Sequence, residues 1–152
     1  MTSYHCGKQR IGKELSKVIV DTSLDIEDEY DFKIKGYCEP FCGMLGVYQH
    51  IPELFKNHKP KLKYKAGEIN ESIVKMWNAT KKGWEPPTTN CGKNIFYQLK
   101  KNTDKTALKG FIGHVNTMRG SYFDGYFKHK NSKIKSNSDR VINIGNILEK
   151  IM

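Results

Sequence analysis

The chain has 152 residues, of which 38% are hydrophobic and 28% are charged, and its net charge is +10. This length allows one domain with a real hydrophobic core, and the composition excludes a largely disordered chain. No apolar run is long enough to span a membrane and the N-terminus lacks a secretory signal, so we expect an intracellular protein, cytoplasmic or virion-associated, without a membrane partner.

The positive charge is distributed unevenly along the chain. Residues 21–31 include six of the 16 acidic residues and neither lysine nor arginine, so all 26 basic residues lie outside this stretch. A surface of this kind attracts polyanions, of which nucleic acid is the simplest. The alternative is an ordinary solvated surface rich in lysine.

The hydrophobic pattern of the first half predicts helices and strands in alternation. Apolar residues at helical spacing predict a first helix over Gly12–Val20, and the acidic stretch 25–31 after it is expected to be a solvated linker. A first strand is predicted over Phe32–Glu39. Val47–Phe55 is expected to be the helix that follows this strand.

The same alternation continues further along the chain. The pattern of Leu62–Gly67 predicts a second strand, and Glu71–Lys82 is expected to form a helix that ends at Gly83. Strand, helix, strand and helix in this order indicate an α/β fold with a short parallel sheet and flanking helices.

The C-terminal part has a different composition. A short helix is expected over Ile95–Lys101 and a last helix over Ser138–Lys150, and glycine, aromatic and basic residues are frequent between them. From Lys93 to Met152 there are twelve basic and four acidic residues. We therefore expect a mostly helical or irregular basic region there.

The segment Tyr37–Val47, Y-C-E-P-F-C-G-M-L-G-V, connects the first predicted strand to the helix after it. A strand, a glycine-containing turn and a helix start together form a place where backbone N–H groups can approach a ligand closely. Glu68 ends the second predicted strand, where a carboxylate can accept hydrogen bonds from a ribose. The alternative is an ordinary strand-end residue, followed by Asn70 as the N-cap of the next helix.

The four cysteines are expected to be reduced and without a metal. Only Cys38 and Cys42 are close in the sequence, whereas a zinc site normally has two such pairs. No Walker loop, nucleophile elbow or metal-binding helix is present, and His114 has no acidic residue beside it, so no catalytic residue is assigned.

Aromatic and basic residues are interleaved after residue 118. Cations neutralise phosphates, while aromatic faces stack on bases. Glycines around aromatic residues are typical of exposed loops, although a small aromatic core beneath a basic surface is the alternative. The residues predicted to contact DNA are Arg119, Tyr122, Phe123, Tyr126, Lys128, Lys130 and Lys133.

Several stretches, taken in order, resemble the N(6)-adenine DNA methyltransferases of the DNA adenine methylase type, especially the phage-like and viral members. Residues 37–47 are similar to the cofactor loop Y-x-E-P-F-x-G-G-G-x-V of that family, and residues 7–8 to the G-K before its first helix. Residues 68–70, E-I-N, take the place of the family's D-I-N. Residues 111–113 and 120–126 look like its G-K-W-F-G-G-Y segment.

The resemblance implies a partial Rossmann-like S-adenosylmethionine (SAM) methyltransferase core over residues 1–105. It implies a DNA-recognition-like basic region with a C-terminal helix over residues 106–152. SAM would be the cofactor, and adenine in DNA the acceptor. The residues implied in cofactor binding are Gly7, Lys8, Glu39, Pro40, Phe41, Gly43 and Glu68.

Two departures from the family bear on activity. The catalytic motif D-P-P-Y is missing, and residues 85–88, E-P-P-T, have neither its aspartate nor its aromatic residue. Met44 and Leu45 replace two glycines of the cofactor loop, and their side chains are expected to crowd a backbone that must approach SAM closely. Methylation by this chain alone is therefore not expected.

Three functions remain open. The first is a non-catalytic DNA-binding or structural component, and the second is the cofactor- and DNA-binding half of an enzyme that another chain completes. The third is a basic protein–protein interaction module. A short sheet also leaves an unpaired edge, which we expect a partner protein, a second copy or the chain's own tail to cover.

Overall fold

The computed structural model describes residues 8–151, and within them the chain forms an α/β fold with six α-helices and two parallel strands. The strands are β1, Gly36–Glu39, and β2, Lys63–Ala66. The predicted α/β class and the parallel pairing are confirmed. The helices are α1, Gly12–Tyr30; α2, Ile51–Phe55; α3, Glu71–Thr80; α4, Lys93–Lys101; α5, Ala107–Val115; and α6, Asn131–Ile151.

The described chain forms two compact units, residues 8–68 and residues 69–150. The first unit contains α1, β1, α2 and β2, and the second contains α3 to α5 with α6 up to residue 150. The division predicted from the sequence, at residue 105, falls between α4 and α5, inside the second unit. No helix within residues 8–151 is both long and apolar enough to cross a membrane.

The core of the first unit is a small apolar cluster built from a helix, a turn and a sheet. Its buried members, which come from α1 and from the segment 47–55, are Val20, Val47, Ile51 and Phe55. Tyr37 of β1 and Tyr64 of β2 are register partners, and both pack against this cluster. The sheet therefore buries its tyrosine face, as period-two alternation requires.

Helix α1 continues through the acidic stretch 21–30, so the linker predicted there is wrong. Val20, Leu24 and Glu27 recur at helical spacing, and they extend the inward face of the helix by two turns. The other acidic side chains of the stretch are exposed and cost nothing to solvate. Asp31 ends the helix in the left-handed conformation, with φ at 50°.

Glu27 is buried, in contrast to the other acidic residues of the stretch. Its carboxylate accepts a hydrogen bond from Lys59 Nζ at 2.6 Å and another from the backbone N–H of Ile34 at 3.2 Å. The hydrogen bond from Lys59 is the main cause that lowers the pKa of Glu27 below its ordinary value. These bonds tie the end of α1 to the segments that precede β1 and β2.

The helix predicted over Val47–Phe55 is divided in two. A 3₁₀ turn covers Tyr48–His50, and α2 begins only at Ile51. Pro52 lies in the first turn of α2, where its missing N–H has no intrahelical partner to lose. Pro52 thus sets the start of the α-helix.

Helix α5 is the centre of the second unit, and it lies in the region expected to be mostly helical or irregular, where no helix over residues 107–115 was predicted. Every residue from Lys109 to Val115 is buried. A Cβ atom at Gly110 would overlap the backbone carbonyl of Ser72 in α3, and one at Gly113 would overlap the ring of Tyr122. These glycines permit close packing and do not break the helix.

The remaining helices differ from the prediction mainly at their ends. The side chain of Asn70 accepts the N–H of Ser72 at 3.1 Å, which confirms Asn70 as the N-cap of α3. Gly83, at φ 88°, follows that helix as predicted. Helix α6 begins at Asn131 and not at Ser138, because Ile134 extends its buried stripe into the basic segment.

Candidate functional sites

The turn after β1 is bonded to the end of β2. The N–H of Gly67 donates to the carbonyl of Glu39 at 2.9 Å, and the N–H of Cys42 donates to the carbonyl of Gly67 at 2.8 Å. Gly43 has φ at 48° and donates its N–H to Glu68 Oε2 at 2.9 Å. The structure thus brings together Glu39, Gly43 and Glu68, three residues that the family resemblance places at a cofactor.

The carboxylate of Glu39 is held among polar groups at the carboxyl end of β1. The hydroxyl of Tyr37 donates to it at 3.1 Å, and the N–H of Tyr48 and the charge of Lys8 also act on it. Burial nevertheless raises the pKa of Glu39, and this effect outweighs the lowering by those three groups. Lys8 and Glu39, both implied in cofactor binding by the resemblance, therefore interact electrostatically.

The segment around Lys8 lies directly against the turn. A Cβ atom at Gly46 would come within 2.9 Å of the backbone carbonyl carbon of Lys8, and one at Gly12 would overlap the carbonyl oxygen of Gly46. Ser16 Oγ donates to the carbonyls of Gly12 at 2.5 Å and Val47 at 3.0 Å. The start of α1 and the turn are consequently in backbone contact. Gly7, the other N-terminal residue of the prediction, lies outside the described residues.

Met44 and Leu45 are buried, as are the glycines on either side of them, Gly43 and Gly46. Leu45 has φ at 56°, a conformation that costs a residue with a Cβ roughly 1–2 kcal/mol. Burial of the leucine side chain offsets this cost. All of residues 42–48 are buried, so this part of the turn is not open to solvent.

Pro40 and Phe41 form the exposed tip of the turn. Phe41 is 76% exposed, which is unusual for a phenylalanine. Gly67 passes beneath Pro40, where a Cβ atom would lie 2.8 Å from the proline carbonyl oxygen. The buried Cys42 beside them has its pKa raised to about 12, mainly by burial, so its thiol stays protonated and is a poor nucleophile.

The cysteines show no metal-site geometry in the part of the chain that the structure describes. Cys38, Cys42 and Cys91 are free. No group of three or more potential His, Cys, Asp or Glu ligands occurs among residues 8–151.

A second candidate site is a loop of the second unit, which we call the 117–126 hairpin. Thr117 and Tyr126 form an antiparallel bridge, and the N–H of Phe127 donates to the carbonyl of Asn116 at 2.8 Å. Between them the chain turns through Gly120, whose φ is 72°. His114 Nδ1 lies 2.8 Å from the carbonyl oxygen of Gly120 and fixes this turn against α5.

Asn90 holds the base of the hairpin, and the sequence reasoning assigned it no role. Its side-chain oxygen accepts from Asn116 Nδ2 at 2.9 Å and from the N–H of His129 at 3.0 Å. Its amide nitrogen donates to the carbonyl of His129 at 2.6 Å. His129 Nε2 is in turn 2.8 Å from the carbonyl oxygen of Thr117. An asparagine in a Pro-rich loop was the only sequence signal for this contact.

Three of the predicted DNA-contact residues are aromatic, and they differ in how deeply they are buried. Phe123 is only 4% exposed and packs on Phe96, with ring centroids 4.9 Å apart. It is a core residue with no free face for a base, which corrects the role assigned to it. Tyr122 packs beside it against His114, and Tyr126 donates its hydroxyl to the carbonyl of Cys91. Both tyrosines are half-buried.

The cationic residues remain at the surface. Arg119, Lys128 and Lys130 are exposed, while Lys133 is half-buried with Nζ 3.4 Å from His129 Nδ1. An open cavity of about 290 Å³ adjoins Arg119. It is lined by Met118, Arg119, Asp124, Gly125, Tyr126 and Phe127.

Met118 and Phe127 are exposed apolar residues of this cavity, and neither was among the residues predicted to contact DNA. Met118 is 63% exposed, and Phe127 is also exposed. The sequence signal for Phe127 is its place among the aromatic and basic residues after residue 118, and Met118 directly precedes Arg119.

No protein-family model, no curated protein and no solved structure matches this chain.

Proposed function

We propose that this chain is a non-catalytic DNA-binding component of the adenine-methyltransferase type, with a partial Rossmann-like first unit. The observation that carries the proposal is the surface of the second unit, where Arg119 and Asp124 line an open cavity on the hairpin and Lys128 and Lys130 are exposed in the segment that follows. Arg119, Lys128 and Lys130 supply the positive charge, and Met118 and Phe127 supply exposed apolar surface beside it.

These groups have the chemistry that a DNA backbone requires. Lysine and arginine side chains neutralise phosphates and release condensed counterions, so the affinity falls as salt is added. Exposed apolar side chains next to cations contact sugars or wedge between bases. The hydrogen bonds of Asn90 hold the hairpin in one conformation, so little conformational entropy is lost when it binds.

The test is the salt dependence of binding to a duplex of about 20 base pairs, measured by fluorescence anisotropy. The double variant Lys128→Gln/Lys130→Gln is expected to reduce the slope of log K against log salt by about 2, because each phosphate contact contributes about 1. The charge-matched control is Lys63→Gln/Lys65→Gln in β2, whose lysines are also exposed.

Two results would refute the DNA-binding proposal. One is an affinity that does not change between low and high salt. The other is a control variant that loses as much of the slope as the hairpin variant, because binding would then follow net charge and not this surface.

A second candidate function is the cofactor-binding half of a SAM-dependent adenine methyltransferase that another chain completes. The geometry of the turn favours it, since Glu39, Gly43 and Glu68 converge at the carboxyl ends of β1 and β2. Pro40 and Phe41 are exposed beside these residues, while residues 42–48 are buried. SAM would supply the methyl group there, with Phe41 as a stacking surface.

Titration calorimetry with SAM tests this candidate. We expect a micromolar Kd for the intact chain and about a tenfold loss for Phe41→Ala, because stacking on an aromatic ring contributes about 1–3 kcal/mol. Phe32→Ala is the matched control, since Phe32 is also an exposed phenylalanine of the first unit. The absence of any heat change at millimolar SAM would exclude cofactor binding.

A further inference from the structure

The sheet of the first unit has only two strands among residues 8–151. Parallel strands normally lie inside larger sheets that are covered on both faces, and two strands alone are marginally stable. Here the tyrosine face is covered by the apolar cluster, whereas Gly36, Cys38, Lys63 and Lys65 on the opposite face are all exposed. The sheet thus presents one open face.

The hydrogen bonds between the strands identify the free edge of β1. The N–H of Lys63 donates to the carbonyl of Lys35 at 3.4 Å, and the N–H of Gly67 donates to that of Glu39 at 2.9 Å. Because successive peptide groups of a strand point to opposite edges, those of Gly36 and Cys38 point away from β2. No strand within the described residues pairs with them.

The open face next to this edge is positively charged. Lys63 and Lys65 are the register partners of Gly36 and Cys38, so their side chains share the exposed face. Residues 59–67 contain four lysines and no acidic residue, and residues 32–38 contain two lysines and no acidic residue. A chain that pairs with β1 would lie on the far side of β1 from Lys63 and Lys65, about 10 Å from β2, a distance that only long side chains span.

We propose that the free edge of β1 binds an extended acidic segment of a partner protein, which adds a third strand to the sheet. Its backbone would pair with the N–H and C=O groups of Gly36 and Cys38, and its alternate acidic side chains would extend across these two residues toward Lys63 and Lys65. Strand addition of this kind takes its affinity from main-chain hydrogen bonds and its specificity from alternate side chains.

The chemistry of the edge selects a peptide over other occupants. The edge presents donors and acceptors in alternation, and a peptide backbone satisfies both, whereas a phosphate only accepts hydrogen bonds. A second copy of this chain is disfavoured because each copy carries +10, and the pairing would place like charges side by side.

The probe is a ten-residue capped peptide in which glutamate alternates with valine, labelled for fluorescence anisotropy. Cys38→Pro removes the N–H at the free edge without removing a bond to β2, and proline is tolerated on edge strands. Cys38→Val is the matched control because it keeps the N–H. We expect Cys38→Pro to weaken binding at least tenfold and Cys38→Val to bind as the wild type does.

A charge swap provides a readout that does not depend on proline. Lys63→Glu/Lys65→Glu is expected to weaken binding of the glutamate peptide at least tenfold. The same variant is expected to bind a peptide with lysine in place of glutamate more tightly than the wild type does. Hydrogen exchange gives a third readout, in which the amide of Cys38 exchanges rapidly in the free protein and becomes at least tenfold slower with the glutamate peptide bound.

Three outcomes would overturn this proposal. One is a Cys38→Pro variant that folds and binds the peptide as tightly as the wild type. Another is an amide of Cys38 that is already protected without peptide, because the edge would then be covered. The third is a charge swap that weakens binding of duplex DNA but leaves binding of the acidic peptide unchanged, which would assign the open face to nucleic acid.

Discussion

Replacing Phe96 with alanine is expected to destabilise the second unit by about 3–5 kcal/mol. The side chain is completely buried at the centre of the aromatic cluster. Its ring centroid lies 4.9 Å from that of Phe123 and 5.5 Å from that of Tyr126. Because a domain is stable by only about 5–15 kcal/mol in total, this loss removes a large part of the folding free energy.

Chemical denaturation followed by circular dichroism measures this loss. Tyr97→Ala is the neighbouring control on α4, since Tyr97 is 39% exposed and its loss is expected to cost less than about 1.5 kcal/mol. Phe96→Leu is expected to fall between the two, because leucine refills part of the cavity. Equal unfolding midpoints for Phe96→Ala and Tyr97→Ala would show that the cluster does not hold the unit together.

The same substitution connects the core to the proposed DNA surface. Phe123 and Tyr126 belong to the 117–126 hairpin, and both rest on Phe96. A cavity at Phe96 is therefore expected to loosen the hairpin that carries Arg119. At temperatures where Phe96→Ala remains folded, its duplex affinity is expected to fall while the Tyr97→Ala affinity stays unchanged.

Gly12→Ala is expected to destabilise the first unit by about 3 kcal/mol or more. The added methyl group would overlap the backbone carbonyl oxygen of Gly46, and a backbone atom cannot move aside as the end of a side chain can. Alanine gains about 1 kcal/mol of helix propensity over glycine, which does not offset a clash of this kind.

Urea denaturation of Gly12→Ala measures the effect, with Lys13→Ala as the control in the same helical turn. Lys13 is exposed, so its replacement is expected to change the free energy of unfolding by no more than about 0.5 kcal/mol. SAM binding by the folded fraction is a second readout, because the Gly12–Gly46 contact positions the segment of Lys8 against the turn. An unchanged unfolding midpoint for Gly12→Ala would contradict the close backbone crossing.

Local sequence signals identified part of the fold correctly. The alternation of Leu62–Gly67 predicted β2, and the capping chemistry of Asn70 predicted the start of α3. These signals act over a few residues, so they do not depend on the rest of the chain. The acidic stretch of α1 was misjudged because its solvated face hides an inward stripe that only Val20, Leu24 and Glu27 reveal.

The two candidate sites could be predicted from the sequence to different extents. The turn from Glu39 to Gly43 and the acid at Glu68 follow from strand and glycine signals, and the structure brings them together. The burial of Phe123 could not be predicted from the sequence, because an aromatic residue between glycines has the same local pattern whether its ring faces solvent or the core. Its partner Phe96 is distant in the sequence, and only the folded chain brings the two rings into contact.

The α/β class, the parallel order of the strands and the uneven charge could all be predicted from the sequence, because periodicity, caps and ionisable groups are properties of short segments. The burial of individual side chains became clear only in the folded chain. Folding buries Met44, Leu45 and Phe123, pairs Glu27 with Lys59 and leaves the outer edge of β1 without a pairing strand among residues 8–151. Burial depends on segments far apart in the chain, and no local pattern records which of them meet.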